Sequence, residues 1–272
     1  MFKKIVFKLG VIGGGVMAEA IISRLLKEKI YSSSSIIVSD PQISRRQFWH
    51  DQYSVTTTED NQHILDNCEI LLLAIKPQIF ENVVSSLNLN LHEKPLVLSI
   101  LAGVSLEKLA HHFPEYPIVR VMPNTPAIVG EAMTAISPNE KVTSLQLDLT
   151  LSLFHSIGSV IQIQESLMDA VTGLSGSGPA FVALMIEALA DGGVASGLPR
   201  SIALELATQT VLGTAQLVKH KNLHPAILKD QVTSPGGTTI AGVAQLEKNG
   251  FRHAVISAVT TAYKRSQELG SK

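Results

Sequence analysis

The sequence predicts a doubly wound α/β domain followed by an all-α domain, and three observations carry that prediction. Strand-like and helix-like patterns alternate over residues 1–165. The first strand-like run ends at Ile12 and passes straight into Gly13, Gly14 and Gly15, with a helical pattern directly behind them. Beyond about residue 165 the strand signals fade and long helical patterns take over. Alternation of this kind implies a mostly parallel sheet with helices on both faces and right-handed crossovers. At 272 residues the chain is long enough to bury a large core and to hold two domains.

Candidate strands are Lys8–Ile12, Ile36–Ser39, Ile70–Ala74, Leu96–Ile100, Ile118–Met122, Ala132–Ile136 and Val160–Gln162. The unbroken apolar run Ile70–Ile75 suits a parallel strand covered on both faces. Helical patterns lie between them near 17–29, 43–51, 60–66, 78–87 and 105–112. In the first helix Met17, Ala18, Ala20, Ile21, Ile22, Leu25 and Leu26 make a broad apolar face.

The stretch KLGVIGGGVMAEAII, Lys8 to Ile22, has the strand–turn–helix layout of a dinucleotide-binding fingerprint. Gly13 permits a tight turn after the strand. Gly15 has no side chain to hold a pyrophosphate away from the backbone, and Ala18 lets the helix lie close to the sheet. The helix start offers N–H groups and partial positive charge to phosphates.

In the second half, helical patterns occupy roughly 166–174, 178–195, 199–220, 224–232, 237–248 and 250–269. Pro179 and Pro199 stand at helix starts, where a missing N–H costs nothing. The helix over 178–195 carries Phe181, Leu184, Met185, Ala188 and Leu189 and is apolar almost all round. Such a helix needs cover on more than one side, from its own domain and from a second subunit.

Composition narrows the function. Hydrophobic residues are 45% and charged residues 17%, as in a compact globular protein. A net charge of −1 gives no electrostatic case for nucleic acid or an anionic membrane. The longest apolar runs, such as Phe181–Ile186, read as too short to span a bilayer. The nine histidines lack metal-ligand spacing, so no metal is expected, and His111–His112 reads as a solvated helix end. A single cysteine, Cys68, fits a reducing, cytoplasmic setting. A cleaved signal would cut into the strand before the glycines, so none is expected.

Asp40 ends the second strand, where an acid grips a ribose 2′-hydroxyl and favours NAD. Arg45 and Arg46 follow closely and suit a 2′-phosphate. The two signals conflict. Later strands end in Lys76-Pro77, Ala102-Gly103 and Met122–Pro126, which would line one crevice at the carboxyl edge of the sheet. In the helical half, Gly173–Pro179 is a glycine-rich joint. Ser234-Pro-Gly-Gly-Thr-Thr239 opens a helix with bare N–H groups and two hydroxyls, an anion site suited to a carboxylate.

The segments LGVIGGGVMAEA, AIKP, LAGV, VMPNTPA, GLSGSGPAF and DQVTSPGGTT stand together in one order and spacing. In that combination the chain, from about residue 8 to 269, resembles the pyrroline-5-carboxylate reductases. The resemblance implies reduction of the ring imine of 1-pyrroline-5-carboxylate to L-proline, the last step of proline biosynthesis, with NADPH as donor and NADH as an alternative. It also implies a Rossmann-like domain over 1–165 and an all-α dimerisation and substrate-binding domain over 166–272. Family members form homodimers with interlocked C-terminal helices, and dimers commonly assemble into decamers.

By the same resemblance Ile12, Gly13, Gly14, Gly15, Val16 and Met17 hold the cofactor phosphates, and Asn61 is a further cofactor contact. Ala74, Ile75, Lys76, Pro77, Ala102 and Gly103 match contacts near the ribose and nicotinamide. Pro123, Asn124 and Thr125 match the loop beside the nicotinamide, with Thr125 on the substrate side. Ser234, Gly236, Gly237, Thr238 and Thr239 match the loop that holds the substrate carboxylate and approaches its ring nitrogen, which makes Thr239 the candidate catalytic residue. Asp40 stands where many members carry a small residue, and Gln231 where Asn is frequent. Other readings of the same pattern are a β-hydroxyacid dehydrogenase, which needs a catalytic lysine that Lys219, Lys221 and Lys229 do not supply in a matching motif, and a non-catalytic NADP sensor.

Overall fold

Strand β1 (Phe7–Ile12) is flanked by β2 (Ile36–Ser39) on one side and β4 (Cys68–Leu73) on the other, both parallel to it. The computed structural model describes residues 7–270; the basic start of the chain and the last two residues of the expected helical domain lie outside them. With β3 (Thr56–Thr58), β5 (Leu96–Ser99), β6 (Ile118–Met122), β7 (Ala132–Pro138) and β8 (Gly158–Gln162) the sheet has eight strands in the order β3-β2-β1-β4-β5-β6-β7-β8. The order reverses between β1 and β4, and a crevice outside the carboxyl ends of the strands opens at such a reversal.

Alternate side chains of the strands feed two core layers. Ile70 and Leu72 of β4 join Leu9, Val11, Val38, Leu98 and Val121 on one face. Leu71 and Leu73 join Ile37, Val97 and Ile118 on the other. The first layer is covered by α1 (Val16–Lys27) through Ala18, Ile21, Ile22 and Leu25, and by Trp49 of α2 (Ile43–Tyr53). The second is covered by Ile64 and Leu65 of α3 (Asn61–Asn67), Phe80 and Val84 of α4 (Phe80–Ser85), and Leu109 of α5 (Leu106–His112). Cys68 lies in this second layer. Burial pushes its thiol up to about 12.

Three features depart from the sequence-based reading. First, the sheet is not wholly parallel: β7 runs antiparallel to β6, and β8 is parallel to β7. The connection 123–131 is a single helical turn, Thr125–Val129, closed by Gly130 at φ +82°. A parallel crossover needs roughly a dozen residues or more, so this short link turns the chain back. Second, β3 and α6 (Ser144–His155) carry no element in that reading. β3 is three threonines at the sheet edge. α6, SLQLDLTLSLFH, alternates polar and apolar with a strand's period, but Thr143 and Gln146 close a capping box that starts a helix. Leu153 and Phe154 are then buried while Leu145 is exposed. Third, the helical run Glu165–Ala195 contains an 18-residue stretch of mean hydropathy 1.4, by length and composition alone long and apolar enough to cross a membrane. Short apolar runs read one at a time hide this, because alanines and glycines join them into one helical stretch.

Residues 7–176 and 262–270 form one compact unit and Ser177–Thr261 a second. The first unit includes α7 (Met168–Val171) and the π-helical turn Thr172–Gly176 that follows it. In the second, α8 (Gly178–Ala195) and α9 (Arg200–Lys221) pack on a seam of Ala190, Ala203 and Ala207. A Cβ on Gly193 would stand 3.1 Å from that of Ala203, so the seam admits only small residues. Gly197, at φ +98°, ends α8; its N–H donates to Val194 and that of Leu198 to Gly193, the paired bonds of a Schellman motif. α10 (Pro225–Gln231), α11 (Thr238–Lys248) and α12 (Phe251–Gly270) complete the chain. Ala190 is the one buried residue of α8, while Leu184, Leu189 and, on α12, Ile256 are exposed.

The Cys68 thiol offers a test of this core. A thiol reagent at pH 8 should leave the native protein untouched and label it fully in denaturant, a rate difference of about a hundredfold or more. The sign of its pH effect follows from the raised value: the unfolded thiol ionises near 9.0 and the native one near 12, so stability contributed by Cys68 is present below pH 9 and lost as pH rises toward 12. Urea titrations of the parent and Cys68→Ala at pH 8 and pH 10 should show the larger fall for the parent.

Candidate active site

At the carboxyl end of β1 the chain turns at Gly13, whose φ is +101°. Its N–H donates to the Ser39 carbonyl at 2.9 Å, closing β1 against β2. A Cβ at this position would lie 2.7 Å from the Ala74 carbonyl oxygen and 2.9 Å from the Ile75 side chain. Gly14 is the structural hub of the turn. Its N–H donates to Asp40 Oδ2 (3.0 Å), and its carbonyl accepts from Arg45 Nε (2.9 Å), Arg45 Nη2 (2.6 Å) and Trp49 Nε1 (3.1 Å). A Cβ on Gly14 would stand 2.6 Å from the indole nitrogen. Around Gly15 nothing lies within 4 Å of a built Cβ. Gly15 is the extended N-cap of α1, and no side chain caps that helix. Val16 is exposed beside it and Met17 half-buried. The three glycines therefore serve three ends: a left-handed turn, a packed hub and an open face with the first-turn N–H groups behind it.

Asp40 and the two arginines are engaged with the protein. Asp40 Oδ1 accepts from Gln42 N–H at 2.9 Å, so both carboxylate oxygens brace the turn. Arg45 reaches Glu19 Oε2 at 3.1 Å and stacks 4.3 Å over the Phe48 ring. Arg46 Nη1 donates to the carbonyls of Asp40 (2.7 Å) and Pro41 (3.1 Å), and Nη2 pairs with Glu59 at 3.3 Å. Sequence reasoning offered Asp40 to a ribose and the arginines to a phosphate. It missed Glu19, which holds Arg45, and Trp49, which shares the Gly14 carbonyl with Arg45, although Trp49 is the chain's single tryptophan.

The remaining strand-end residues follow in the same unit. Asn61 opens α3 after the Asp60 N-cap, and its Oδ1 accepts from the buried Ser39 hydroxyl at 2.6 Å. Ala74 extends β4 by one bond to Ile12, Ile75 is half-buried and Lys76 exposed, and Pro77 starts a helical turn. Gly103, at φ +76°, follows Ala102 beyond β5. Pro123 and Asn124 are buried beyond β6 and Thr125 is exposed. The Asn124 amide is spoken for: Nδ2 donates to the Ser175 carbonyl at 3.1 Å and Oδ1 accepts from Met133 N–H at 2.9 Å. It ties the β6 loop to the π turn and to β7. Because β1, β2, β4, β5 and β6 are parallel, all these loops leave the sheet on one edge.

The second unit carries the other expected segment. Gly236 has φ +66°, and the Gly237 N–H donates to the Ser234 carbonyl at 3.1 Å. A Cβ on Gly237 would collide with Ser234 Oγ. Gly237 is the N-cap of α11 with φ −80° and ψ 175°, close to the −76° and −173° of Gly15, and it too has no side-chain cap. Thr238 is exposed and Thr239 half-buried in the first turn. The same backbone device, an extended glycine ahead of an uncapped helix, thus occurs twice.

An open glycine turn at the switch point of a doubly wound sheet, followed by a helical unit, defines a dinucleotide-binding protein of the Rossmann class. A family model described as pyrroline-5-carboxylate reductase dimerisation matches residues 165–269, and one described as NADP oxidoreductase coenzyme F420-dependent matches residues 8–103. The pyrroline-5-carboxylate reductase of Synechocystis is 58% identical over 97% of this chain and 99% of its own length; that of Escherichia coli is 40% identical over 96% and 98%. The crystal structure of Plasmodium falciparum pyrroline carboxylate reductase with NADP bound superposes with a TM-score of 0.89 at 33% identity, covering 98% of this chain and all of that one. The chain belongs to the pyrroline-5-carboxylate reductase family.

Two substitutions separate the roles of the glycines. At Gly15 a Cβ meets no atom within 4 Å, so Gly15→Val should still fold, at a cost of about 1 kcal/mol for the poorer N-cap, while NADPH affinity, read by calorimetry, falls by about tenfold or more. Gly13→Ala forces an L-residue to a positive φ against the Ala74 carbonyl and should cost about 1–3 kcal/mol of stability in urea titrations.

Proposed function

We propose that this protein reduces 1-pyrroline-5-carboxylate to L-proline with NADPH as donor, NADH serving as an alternative. The observation that carries the reading is the pair of glycine-capped, uncapped-by-side-chain helix starts, one in each unit, within a chain of this family. The open space at Gly15 fits a pyrophosphate, and the N–H groups of Val16 and Met17 would hold it. Asn61, Ala74–Pro77, Ala102-Gly103 and Pro123-Asn124 would line the rest of the dinucleotide. When bound, the reduced nicotinamide supplies the hydride.

The chain's own residues then have three tasks. The N–H groups around Gly237–Thr239, at the positive end of α11, would hold the substrate carboxylate, with Ser234 and Gly236 shaping that loop; Thr125, on the β6 loop, would be a further substrate contact. The Thr239 hydroxyl would orient the ring nitrogen and hold its proton while the C=N bond becomes C–N. The substrate already contains the imine, so no nucleophile is required, and orientation with electrostatic support is the protein's contribution.

We further propose a functional boundary at 165/166, with 1–165 binding the dinucleotide and 166–272 serving dimerisation and substrate. The match of a dimerisation model to 165–269 and the exposed apolar side chains of α8 and α12 support a homodimer with interlocked C-terminal helices, in decamers at higher order. A second copy, not lipid, would cover the apolar run Glu165–Ala195. The buried lone thiol supports a cytoplasmic setting, and the net charge of −1 leaves nucleic acid without an electrostatic claim.

The direct test is NADPH consumption at 340 nm with and without pyrroline-5-carboxylate; consumption independent of the imine would end this reading. Thr239→Val should fold normally and lose about tenfold to a hundredfold in kcat/KM, with Thr239→Ser retaining most activity. Light scattering should give at least a dimer at micromolar concentration, and Leu184→Glu should lower the mass.

A further inference from the structure

Gly103 lies against the last turn of α12. A Cβ on Gly103 would stand 3.2 Å from both Leu269 Cβ and the Gly270 nitrogen, and one on Gly270 would stand 2.6 Å from the Gly103 carbonyl oxygen. One turn earlier, at Ser266, the same helix is pinned again. Ser266, 3% exposed, donates from Oγ to Asp169 Oδ1 at 2.7 Å. Asp169 lies 3.6 Å from Arg120 Nη2, and Arg120 Nη1 pairs with Glu165 Oε1 at 3.1 Å. Glu165 Oε1 in turn accepts from the Leu106 N–H at the start of α5. The contacts run from Gly103 through α12, Asp169, Arg120 and Glu165 back to Leu106. They form a closed ring around the segment 103–106, which follows Ala102.

Arg120 is 4% exposed, and among the described residues its Nε meets no hydrogen-bond partner. A buried guanidinium with one donor unmet is poor value for stability alone, and such groups are best explained where they fix geometry. The meeting of two glycines across the gap points the same way: a methyl group on Gly270 displaces the Gly103 backbone, and one on Gly103 is crowded at a positive φ.

We propose that the last turn of α12 sets the position of the Ala102-Gly103 loop for the nicotinamide end of the dinucleotide, with Ser266 and Gly270 as positioning residues. This rests on the reading above, in which that loop contacts the cofactor. The adenine end is served by the glycine turn on β1 and lies outside the ring.

The experiment compares two ligands by calorimetry: NADPH, and 2′,5′-ADP, which lacks the nicotinamide half. Gly270→Ala improves helix propensity yet places a Cβ against the Gly103 carbonyl, and Ser266→Ala cuts the bond to Asp169. Each should weaken NADPH on the order of tenfold and leave 2′,5′-ADP unchanged. Amide exchange at 102–106 should quicken in the free variants. Unchanged NADPH affinity in both variants overturns the proposal, and so does equal weakening of both ligands, which would mark a general role in stability. If the parent protein binds neither ligand, the cofactor reading fails instead. Amide exchange at 102–106 then decides alone whether the helix end holds the loop, and unchanged exchange overturns it.

Discussion

The approach of Gly13 to Ala74 is the constraint on which the dinucleotide-binding half depends. β1 and β4 are adjacent parallel strands, and the order of the sheet reverses between them. The turn out of β1 must cross the end of β4 without a side chain, because a Cβ there would sit 2.7 Å from the Ala74 oxygen. The positive φ that this crossing requires also directs Gly14 inward, toward Trp49, and leaves Gly15 facing open space. One close contact thus sorts three chemically identical residues into three jobs.

Glycine reappears at the start of α11 for a related reason. An extended glycine N-cap without a side-chain acceptor leaves first-turn N–H groups unmet by the protein, at a cost of only a few tenths of a kcal/mol relative to a side-chain-capped start. Where that cost is accepted at both α1 and α11, an external anion is the natural partner. Asp60, Ser105 and Thr143 cap α3, α5 and α6 with their side chains, whereas α2, α4, α8 and α9 start without such a cap behind non-glycine residues. What α1 and α11 share is an extended glycine at the N-cap, which leaves the approach to the first-turn N–H groups free of a side chain.

The polar groups around the turn show how charge serves shape before chemistry. Asp40 spends both oxygens on backbone N–H groups, while Arg45 clamps the Gly14 carbonyl and is itself held by Glu19. These bonds rigidify the loop before any ligand arrives, which lowers the ordering cost of binding. Asn124 does the same for the β6 loop, and its signal in the sequence, an amide between two prolines, marks a rigid tip without saying what the amide holds.

Most of the fold was legible in the sequence. The glycine turn, the strand runs such as Ile70–Leu73 and the long second-half helices announce themselves because periodicity and backbone freedom are local properties. Family segments such as VMPNTPA and SPGGTT identified the candidate site residues for the same reason. Local pattern yielded no element at α6, whose period of two suits a strand while the capping box at Thr143 starts a helix. It was silent on the direction of β7, which depends on how far a nine-residue link can reach, here residues 123–131. Tertiary structure alone decided which groups meet: Gly14 with Asp40, 26 residues away, and Ser266 with Asp169, 97 residues away. Such pairings are chosen when the folded core brings distant segments together, and no pattern within either segment records its partner.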